Sequence, residues 1–289
     1  MKHDKILQND FKKGLTLILL ITSSIFAFAQ PQSRLWTIPP TQIEFCAQPT
    51  YSTLKYDPLN LLGYAGAPAL NLSNSMHDVN GNLLFYVVNE NIADGVIYDR
   101  DGNRIDILKH DAPVFDNWAD EISIVPVPGS CTKYYLITGL YEFGNISGFP
   151  PAIHNFRPVY AILDMAMQNI NFPSDPTKRG ALTYNTPTKN LFDLTIPSLP
   201  LAYSYGGLFQ KNRFGIAVSP YRPLPYDNHF LFVSGDNGIY RYIVDGTGIS
   251  YDISSVANPY IPNVVADNVK YSEMEVVRLL SGNYRLAKV

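Results

Sequence analysis

The chain has few of the residues from which metal sites and nucleophilic active sites are built. Its only cysteines are Cys46 and Cys131, and its 5 histidines are scattered, so no CxxC, HExxH or histidine-cluster pattern occurs. There is no GxSxG elbow either, and Ser130 has no histidine nearby in the sequence. We therefore predict no metal, no cofactor and no evident catalysis, with an enzyme left open as an alternative.

Charged residues are also scarce, at 16% of the chain, and the formal net charge is -3. Without residues 1–29, 18 Lys and Arg face 23 Asp and Glu, which gives a balance of about -5. Because no basic patch remains to attract phosphate groups, we predict no nucleic-acid partner. The composition is instead typical of a rigid, loop-rich β protein, with 20 Tyr, 15 Phe and 22 Pro.

The N-terminal apolar run, residues 15–28, is shorter than the roughly 20 residues that a bilayer-spanning helix needs. Four lysines precede it, and it ends in Ala27-Phe28-Ala29 before Gln30. This combination is typical of a signal peptide for the Sec pathway. We predict cleavage after Ala29, no transmembrane segment in the mature chain, and a secreted or cell-surface protein, with the periplasm as the other compartment. An uncleaved anchor is the alternative.

Export leaves two interpretations of the cysteines open. Cys46 and Cys131, with 84 residues between them, could pair in an oxidising compartment. Alternatively, each could act as a small buried apolar residue. Neither position in the predicted strands demands contact between the two, so the sequence does not decide whether they are bonded.

An aromatic, apolar strand pattern recurs along the chain. It occupies four segments, the last of them weaker: residues 83–87, 133–137, 229–233 and 283–287. The centres of the first three, Phe85, Tyr135 and Leu231, are 50 and then 96 residues apart, and the fourth copy follows about 53 residues later. The three spacings correspond to one, two and one repeats of about 50 residues, a length that is typical of the blades of a propeller.

Further strands flank each copy of the pattern. Apolar segments precede the copies, at residues 69–72, 122–127, 214–218 and 274–280, and strands joined by Gly-containing turns follow them. Four strands per unit predict an all-β fold, a β-propeller-like array of four-stranded antiparallel blades, with a helix content below about a tenth. One large antiparallel sandwich is the alternative, since it also uses short strands and turns.

We assign residues 1–29 to the signal peptide and residues 30–289 to one β-propeller-like domain, because no linker or charge block divides it. The blades are placed approximately at residues 60–112, 118–190, 212–255 and, in part, 268–289. The last strand pattern runs to the C-terminus with no partner after it. The array is therefore expected to be incomplete, a ring with an open strand edge.

The candidate ligand-binding residues are Trp118, Asp120 and Glu121, which lie together at the start of a predicted inner strand. A Trp ring beside carboxylates can stack on a sugar and hydrogen-bond to it, and the alternative is a Trp packed between blades. A glycosidase would need two facing carboxyls, about 5 Å or about 6.5–9.5 Å apart, and the sequence does not pair them. Glu273 and Glu275 are further acids near an inner strand. For each acid, a solvated or hydrogen-bonded blade-edge residue is the alternative.

Two acidic turns resemble functional motifs. Residues 99–103 resemble the start of a calcium loop, but an EF-hand needs Gly and Glu at its sixth and twelfth positions, where this chain has Arg104 and His110. A plain hairpin turn is therefore favoured. Residues 234–240 resemble the Asp-box of sialidase-type propellers, in which the box is itself a structural turn. It therefore indicates blades and not catalysis.

Several segments form a set that can be compared with a known group of proteins. They are Trp36 with Gln42-Ile43-Glu44-Phe45, Asp78-Val79-Asn80-Gly81-Asn82-Leu83-Leu84-Phe85-Tyr86, Tyr134-Tyr135-Leu136-Ile137-Thr138 and Tyr160-Ala161-Ile162-Leu163-Asp164-Met165. The set resembles the secreted propeller-type proteins of Bacteroidetes, many of which are gliding-motility proteins or type IX secretion cargo. The resemblance covers about residues 35–289 and concerns blade strands, so no catalytic residues transfer with it. It implies export and a surface or extracellular location.

These observations predict an exported binding module at the cell surface whose partner is a protein or a polysaccharide. A carbohydrate-active propeller enzyme is one alternative, and a structural component of a secretion or gliding assembly is another. An enzyme would have a deep axial pocket with two or more acids, whereas a binding module would have a shallow face rich in Tyr and Trp. An assembly component would have large exposed apolar patches.

Overall fold

The computed structural model describes the backbone of residues 35–44, 49–56, 62–69, 73–89, 95–108, 118–144, 153–183, 189–190, 216–235, 238–252, 274–278 and 284–288. Among these, the side chains of residues 35–36, 118–121, 139–144, 153–159, 189–190, 234–235, 238–240, 274–278 and 284–288 are outside the description. Within these ranges every regular element is a β-strand and there is no helix. The predicted all-β class is therefore confirmed for the described part of the chain.

The described strands form five antiparallel sheets, which we number along the chain. Sheet 1 contains β1 (Leu35–Ile38), β2 (Thr41–Glu44) and β3 (Thr50–Thr53). Sheet 2 contains β4 (Ser73–His77), β5 (Leu83–Asn89), β6 (Gly95–Asp99) and β7 (Arg104–Leu108). Sheet 3 contains β8 (Trp118–Pro126), β9 (Lys133–Gly144), β10 (Ile153–Gln168), β11 (Arg179–Leu182) and β12 (Lys189–Asn190). Sheet 4 contains β13 (Ile216–Val218), β14 (His229–Gly235), β15 (Gly238–Asp245) and β16 (Gly248–Tyr251), and sheet 5 contains β17 (Met274–Arg278) and β18 (Tyr284–Lys288).

The central strands of sheets 2 and 3 are buried on both faces because each of these two sheets lies between two others. In β5, Phe85 and Val87 pack against sheet 3, whereas Tyr86 and Val88 pack on the opposite side with Leu54, which follows β3. Successive side chains of a strand point to opposite faces, so a strand covered on both sides must be apolar throughout. This explains the unbroken run of bulky side chains that made β5 recognisable in the sequence.

The same alternation joins sheets 3 and 4. In β9, Leu136 belongs to the cluster shared with sheet 2, and Tyr135 and Ile137 belong to a second cluster with Leu231 and Tyr242 of sheet 4. Each fully buried side chain of this size stabilises the fold by about 1.5–3 kcal/mol. Three apolar clusters thus hold sheets 1 to 4 in one row, face against face.

The first strands of the sheets follow one another along one side of this row. β1 lies next to β4, β4 next to β8, β8 next to β13, and β13 next to β17. A side-chain hydrogen bond joins two neighbouring first strands, β4 and β8. In it, Asn74 Nδ2 donates to the carbonyl oxygen of Ile122 over 2.7 Å. Five sheets in succession differ from the two facing layers of the sandwich alternative.

The short turns between strands lie at the same end of the strands in successive sheets, which we call the tight-turn end. The turn between β6 and β7 meets the connection between β10 and β11, where Asp101 Oδ2 lies 3.9 Å from Lys178 Nζ. Likewise, Tyr135 OH, close to the turn between β8 and β9, donates to Asp245 O in the turn between β15 and β16 over 2.8 Å. The residues that join strands at the opposite end lie outside the described ranges.

Three features differ from the sequence predictions. Of the strand expected at residues 69–72, Ala69 belongs to no strand and donates its N–H to Pro39 O of sheet 1 over 3.2 Å, and residues 70–72 lie outside the described residues. The first described strand of sheet 2 is β4, which was not predicted. The apolar pattern did not reveal β4 because this strand reads Ser-Asn-Ser-Met-His, and its Asn74 side chain contacts the neighbouring sheet. Sheet 1 was not predicted as a unit. Sheets 2 and 4 have the predicted four strands, whereas sheet 3 has five.

Candidate functional site

The predicted ligand-binding residues lie at the start of β8, away from the tight-turn end. Trp118 pairs with Tyr141 of β9, and the register shifts between Ala119 and Ile122. Asp120 and Glu121 therefore occupy a β-bulge, a feature that is common next to functional sites and re-aims side chains. The side chains of Trp118, Asp120 and Glu121 are outside the described residues, so their role stays a prediction. Glu273 lies outside the described backbone, and Glu275 is in β17 with its side chain undescribed.

The acidic turn at residues 99–103 is a hairpin and not a cation site. The carboxylate of Asp99 accepts hydrogen bonds from the backbone N–H groups of Asp101 and Asn103, at 2.9 and 2.8 Å, and from Asn103 Nδ2. Gly102 has a φ of 79°, the left-handed conformation that the turn requires. Oxygen lone pairs that bind N–H groups are not directed at a metal, so the predicted hairpin is confirmed.

The same turn occurs a second time in sheet 2. Asp78 binds the N–H groups of Asn80 and Asn82, both at 2.8 Å, and Gly81 has a φ of 83°. The two turns share the pattern Asp-x-Asn/Asp-Gly-Asn and lie at the same end of the sheet. In the described part of the chain, no group of three or more His, Cys, Asp or Glu residues could hold a metal ion.

The segment that resembles an Asp-box is also a hairpin. Gly235 ends β14 and pairs with Gly238 at the start of β15. The two residues between them lie outside the described ranges. The backbone thus agrees with the interpretation of this segment as a structural turn.

Cys131 is a free, exposed thiol in the turn between β8 and β9. The structure therefore contains no bond between Cys131 and Cys46, and the alternative of a small buried residue is wrong for Cys131. The turn exposes it because Ser130 Oγ accepts hydrogen bonds from the N–H groups of Thr132 and Lys133, which leaves the Cys131 side chain outside the packed sheets. Cys46 lies outside the described residues.

The most distinctive surface feature is one that sequence reasoning missed: the hairpin between β13 and β14, which we call the Arg222 hairpin (residues 219–229). Leu224 is 81% exposed, Tyr226 is 59% exposed and Tyr221 is 38% exposed. Three prolines between and beside them are exposed as well. Exposed apolar side chains that lie together are a feature of interaction surfaces.

Backbone hydrogen bonds hold this hairpin in one conformation. Arg222 N donates to Asn228 O over 2.8 Å, and Asn228 N donates back to Arg222 O over 3.2 Å. At the tip, Tyr226 N donates to Pro223 O over 3.2 Å. The prolines restrict φ further. The exposed side chains are thus displayed on a pre-organised backbone, which lowers the entropy lost when a ligand binds.

Aromatic rings and guanidinium groups alternate in a stack that begins on the hairpin. The guanidinium carbon of Arg222 lies 4.0 Å from the ring centroid of Tyr226 and 4.2 Å from that of Phe230. On sheet 4, Arg241 lies 4.7 Å from the Phe230 centroid and is bound by the buried carboxylate of Asp252, with contacts of 2.7 and 2.6 Å. Such cation–π contacts each contribute about 0.5–1 kcal/mol near a surface.

The two arginines of this stack have different polar partners. Arg241 is neutralised by Asp252, whereas the polar contact of Arg222 is with the neutral amide oxygen of Asn228, at 3.4 Å. Among the described residues no carboxylate pairs with Arg222. The rings of Tyr226 and Phe230 pack against its guanidinium, and Arg222 is partly exposed, so the N–H groups that the rings leave uncovered are what a ligand could reach.

Polar contacts also fix the base of the hairpin. Tyr221 OH donates a short hydrogen bond to Asp227 Oδ1, and this bond raises the pKa of Tyr221 because it favours the protonated phenol. The ring of Tyr221 lies 5.4 Å from that of His229. Burial lowers the pKa of His229, whose Nδ1 lies 2.9 Å from Ser219 O. His229 is therefore neutral near pH 7.

The sequence alone carried one signal for this site, the run Tyr-Arg-Pro-Leu-Pro-Tyr between two predicted strands. Proline-rich runs between strands are ordinary loops, so the run did not stand out. What marks the site is the exposure of Leu224 and Tyr226 and the position of Arg222 between two rings, and both depend on tertiary structure.

Comparison of the chain with protein-family models, with curated proteins and with solved structures finds no match. The class is therefore defined by the described structure itself, an antiparallel all-β protein of successive packed sheets. No helix in the described residues is long and apolar enough to cross a membrane.

Proposed function

We propose that this protein is an exported β-propeller-like binding module that recognises a protein or polysaccharide partner at the cell surface and has no catalytic activity of its own. The observation that carries the proposal is the Arg222 hairpin, which displays Leu224 and two tyrosines on a fixed backbone. Interfaces are enriched in Tyr and Arg, and their strongest contacts come from such pre-organised side chains.

The order of the sheets supports the propeller part of the proposal. In a propeller, each blade is a four-stranded antiparallel sheet and the blades repeat around a central axis. Sheets 2 and 4 have four strands in chain order, and the first strands of all five sheets are neighbours in succession. An arc of blades with β1, β4, β8, β13 and β17 on its inner side accounts for both features.

The export part of the proposal rests on residues 1–29, which lie outside the described structure. Lysines followed by a short apolar run and Ala27-Phe28-Ala29 are typical of a cleaved leader. Mass spectrometry of the protein recovered outside the cytoplasm should give an N-terminus at Gln30. An intact segment from Met1 to Gln30 on the folded, exported protein would contradict cleavage.

A binding panel tests the binding module against the enzyme alternative. The secreted protein is incubated with arrayed neutral and acidic polysaccharides and with a displayed peptide library, and both retained ligand and released reducing sugar are measured. The proposal predicts retention of one ligand class without release of sugar. Release of sugar that disappears in a variant with Asp120→Asn and Glu121→Gln would instead establish a glycosidase.

A further inference from the structure

We propose that the Arg222 hairpin is a binding site for a carboxylate-bearing segment of a partner protein. This inference rests on the proposed function, because it assigns the site and the partner class of the same binding module. It combines three features of the hairpin: an arginine without a carboxylate partner in the described structure, an exposed aliphatic tip, and rings whose faces are already partly occupied.

The guanidinium of Arg222 is suited to bind a carboxylate edge-on. The rings of Tyr226 and Phe230 pack against the group, with centroids 4.0 and 4.2 Å from its central carbon, and restrict its movement. A planar guanidinium with free N–H groups along its edge matches the two oxygens of a carboxylate. Arg241 in the same stack already binds a carboxylate through its edge, since its Nε and Nη2 both contact Oδ2 of Asp252, at 2.7 and 2.6 Å. A carboxylate of the partner would complete the corresponding contact at Arg222.

The tip of the hairpin favours a protein over a sugar. Leu224 is the most exposed of its large side chains, and an aliphatic side chain between prolines matches the apolar surface of a protein. Sugars need open, flat ring faces. Here one face of Tyr226 carries Arg222, and the ring of Tyr221 lies against His229 with its hydroxyl bound to Asp227.

The test uses the secreted full chain and a phage-displayed library of random peptides as the probe. Selected peptides are synthesised, and their dissociation constants are measured for the wild type and for hairpin variants. We expect the selected peptides to contain Asp or Glu next to apolar residues. Arg222→Ala and Leu224→Ser should each weaken binding at least tenfold, which corresponds to about 1.4 kcal/mol. Arg222→Lys should also weaken it, because an ammonium group lacks the planar edge.

A matched control separates the hairpin from exposed apolar side chains in general. Val79, at the tip of the turn between β4 and β5, is also 81% exposed and lies, like the Arg222 hairpin, at the tight-turn end. Val79→Ser should leave the dissociation constant within about twofold. Because the Leu224 side chain is so exposed, Leu224→Ser is expected to fold normally and keeps the test decisive even if Arg222→Ala disturbs the hairpin.

A double-mutant cycle distinguishes contact from structural support. Replacing the acidic residue of the peptide by its amide should cost affinity in the wild type and little in Arg222→Ala. A purely structural role of Arg222 would leave the two losses additive, and this result would overturn the proposal. Peptide binding that is insensitive to all hairpin variants would also overturn it while leaving the proposed function intact.

The polysaccharide arm separates the two partner classes. Binding of acidic polysaccharides through Arg222, with no peptide selected, would overturn a protein partner but retain a binding module. Failure of the wild type to retain any peptide or polysaccharide would contradict the proposed function together with this inference.

Discussion

The guanidinium carbon of Arg222 lies 4.0 Å from the centroid of the Tyr226 ring, so two residues on either side of the hairpin tip are held against each other. The contact fixes an exposed tyrosine and an arginine before any ligand is present. Ordering these two long side chains in advance removes an entropy cost of about 0.5–1.5 kcal/mol per side chain from binding. The hairpin is therefore a rigid surface, which the proposed ligand would meet without reordering these two side chains.

Replacing Phe230 by leucine should destabilise sheet 4. The Phe230 ring lies between Arg222 and Arg241, at 4.2 and 4.7 Å, and the substitution removes both cation–π contacts. At about 0.5–1 kcal/mol for each contact, we expect a loss of about 1–2 kcal/mol in the free energy of unfolding, measured in urea. Phe232→Leu is the control, because its ring contact is with Phe230 and not with either arginine. Equal losses in the two variants would show that the stack does not contribute.

Replacing Gly246 by alanine tests the packing of sheet 3 on sheet 4. A Cβ atom at Gly246 would lie 2.7 Å from the carbonyl oxygen of Pro128, in the turn of the neighbouring sheet. Backbone at this distance must move, so we expect a loss of about 1–3 kcal/mol in stability. Gly129→Ala provides the comparison, since it has a φ of 76° and open space around it and so measures backbone strain alone. A neutral Gly246→Ala would argue against this contact between sheets.

Replacing Gln168 by glutamate should destabilise the connection between β10 and β11. Gln168 Nε2 donates toward three carbonyl oxygens, those of Phe172, Asp175 and Lys178, at 2.9, 2.8 and 3.1 Å. A carboxylate has no hydrogen to donate and would face three oxygens, which should cost about 1–3 kcal/mol or more. Urea unfolding at pH 7 measures this loss.

A second glutamine serves as the control for that prediction. Gln42 Nε2 makes one side-chain hydrogen bond, to Thr37 Oγ1 at 3.3 Å, so Gln42→Glu should change stability by less than about 1 kcal/mol. If Gln168→Glu has an equally small effect, the three-carbonyl contact does not organise this connection.

The outcomes above depend on contacts that the sequence reveals to different degrees. β5 could be predicted because a strand covered on both faces is apolar throughout and the turn before it carries Gly81 at a positive φ. β14 could be predicted from its run of aromatic and apolar residues, Phe230 to Val233. β4 was not predicted because its side chains are mostly polar, and that of Asn74 donates a hydrogen bond to Ile122 of the neighbouring sheet. A pattern search for apolar segments cannot recognise a strand that is stabilised in this way.

The candidate site was less predictable than the strands. Trp118, Asp120 and Glu121 attracted attention because their residue types suit sugar binding, but side-chain placement is not encoded in local pattern. The Arg222 hairpin was overlooked for the opposite reason, since its prolines mark it as a connection. Its role depends on Phe230 and Arg241, which approach the hairpin only in the folded sheet.

Stability should fall as the pH decreases from 7 toward 5. Burial lowers the pKa of both His77 and His229 below the ordinary value of 6.5. The unfolded chain therefore takes up protons first, and the free energy of unfolding decreases once the pH drops below about 6.5, by at most about 1.4 kcal/mol per pH unit for each histidine. Urea unfolding from pH 7 to pH 5 measures the slope.

Glutamine variants at the two histidines provide the comparison for that slope. His77→Gln and His229→Gln should each flatten it, because the substituted residue does not titrate. The carboxyls of Asp78 and Asp175, whose pKa values are lowered by hydrogen bonds from Asn82 and Thr177, lose their charge only below about pH 4 and do not contribute in this window. An unchanged slope in both variants would assign the pH dependence to other groups.

Hydrogen–deuterium exchange of the secreted protein, with and without a selected acidic peptide, tests the central claim most directly. The account predicts that the peptide slows exchange at backbone amides of the Arg222 hairpin, including Arg222, Leu224 and Tyr226, and leaves the start of β8 unchanged. Protection confined to residues 118–121, at the end of the strands opposite the tight-turn end, would contradict the account and would favour Trp118, Asp120 and Glu121 as the binding site.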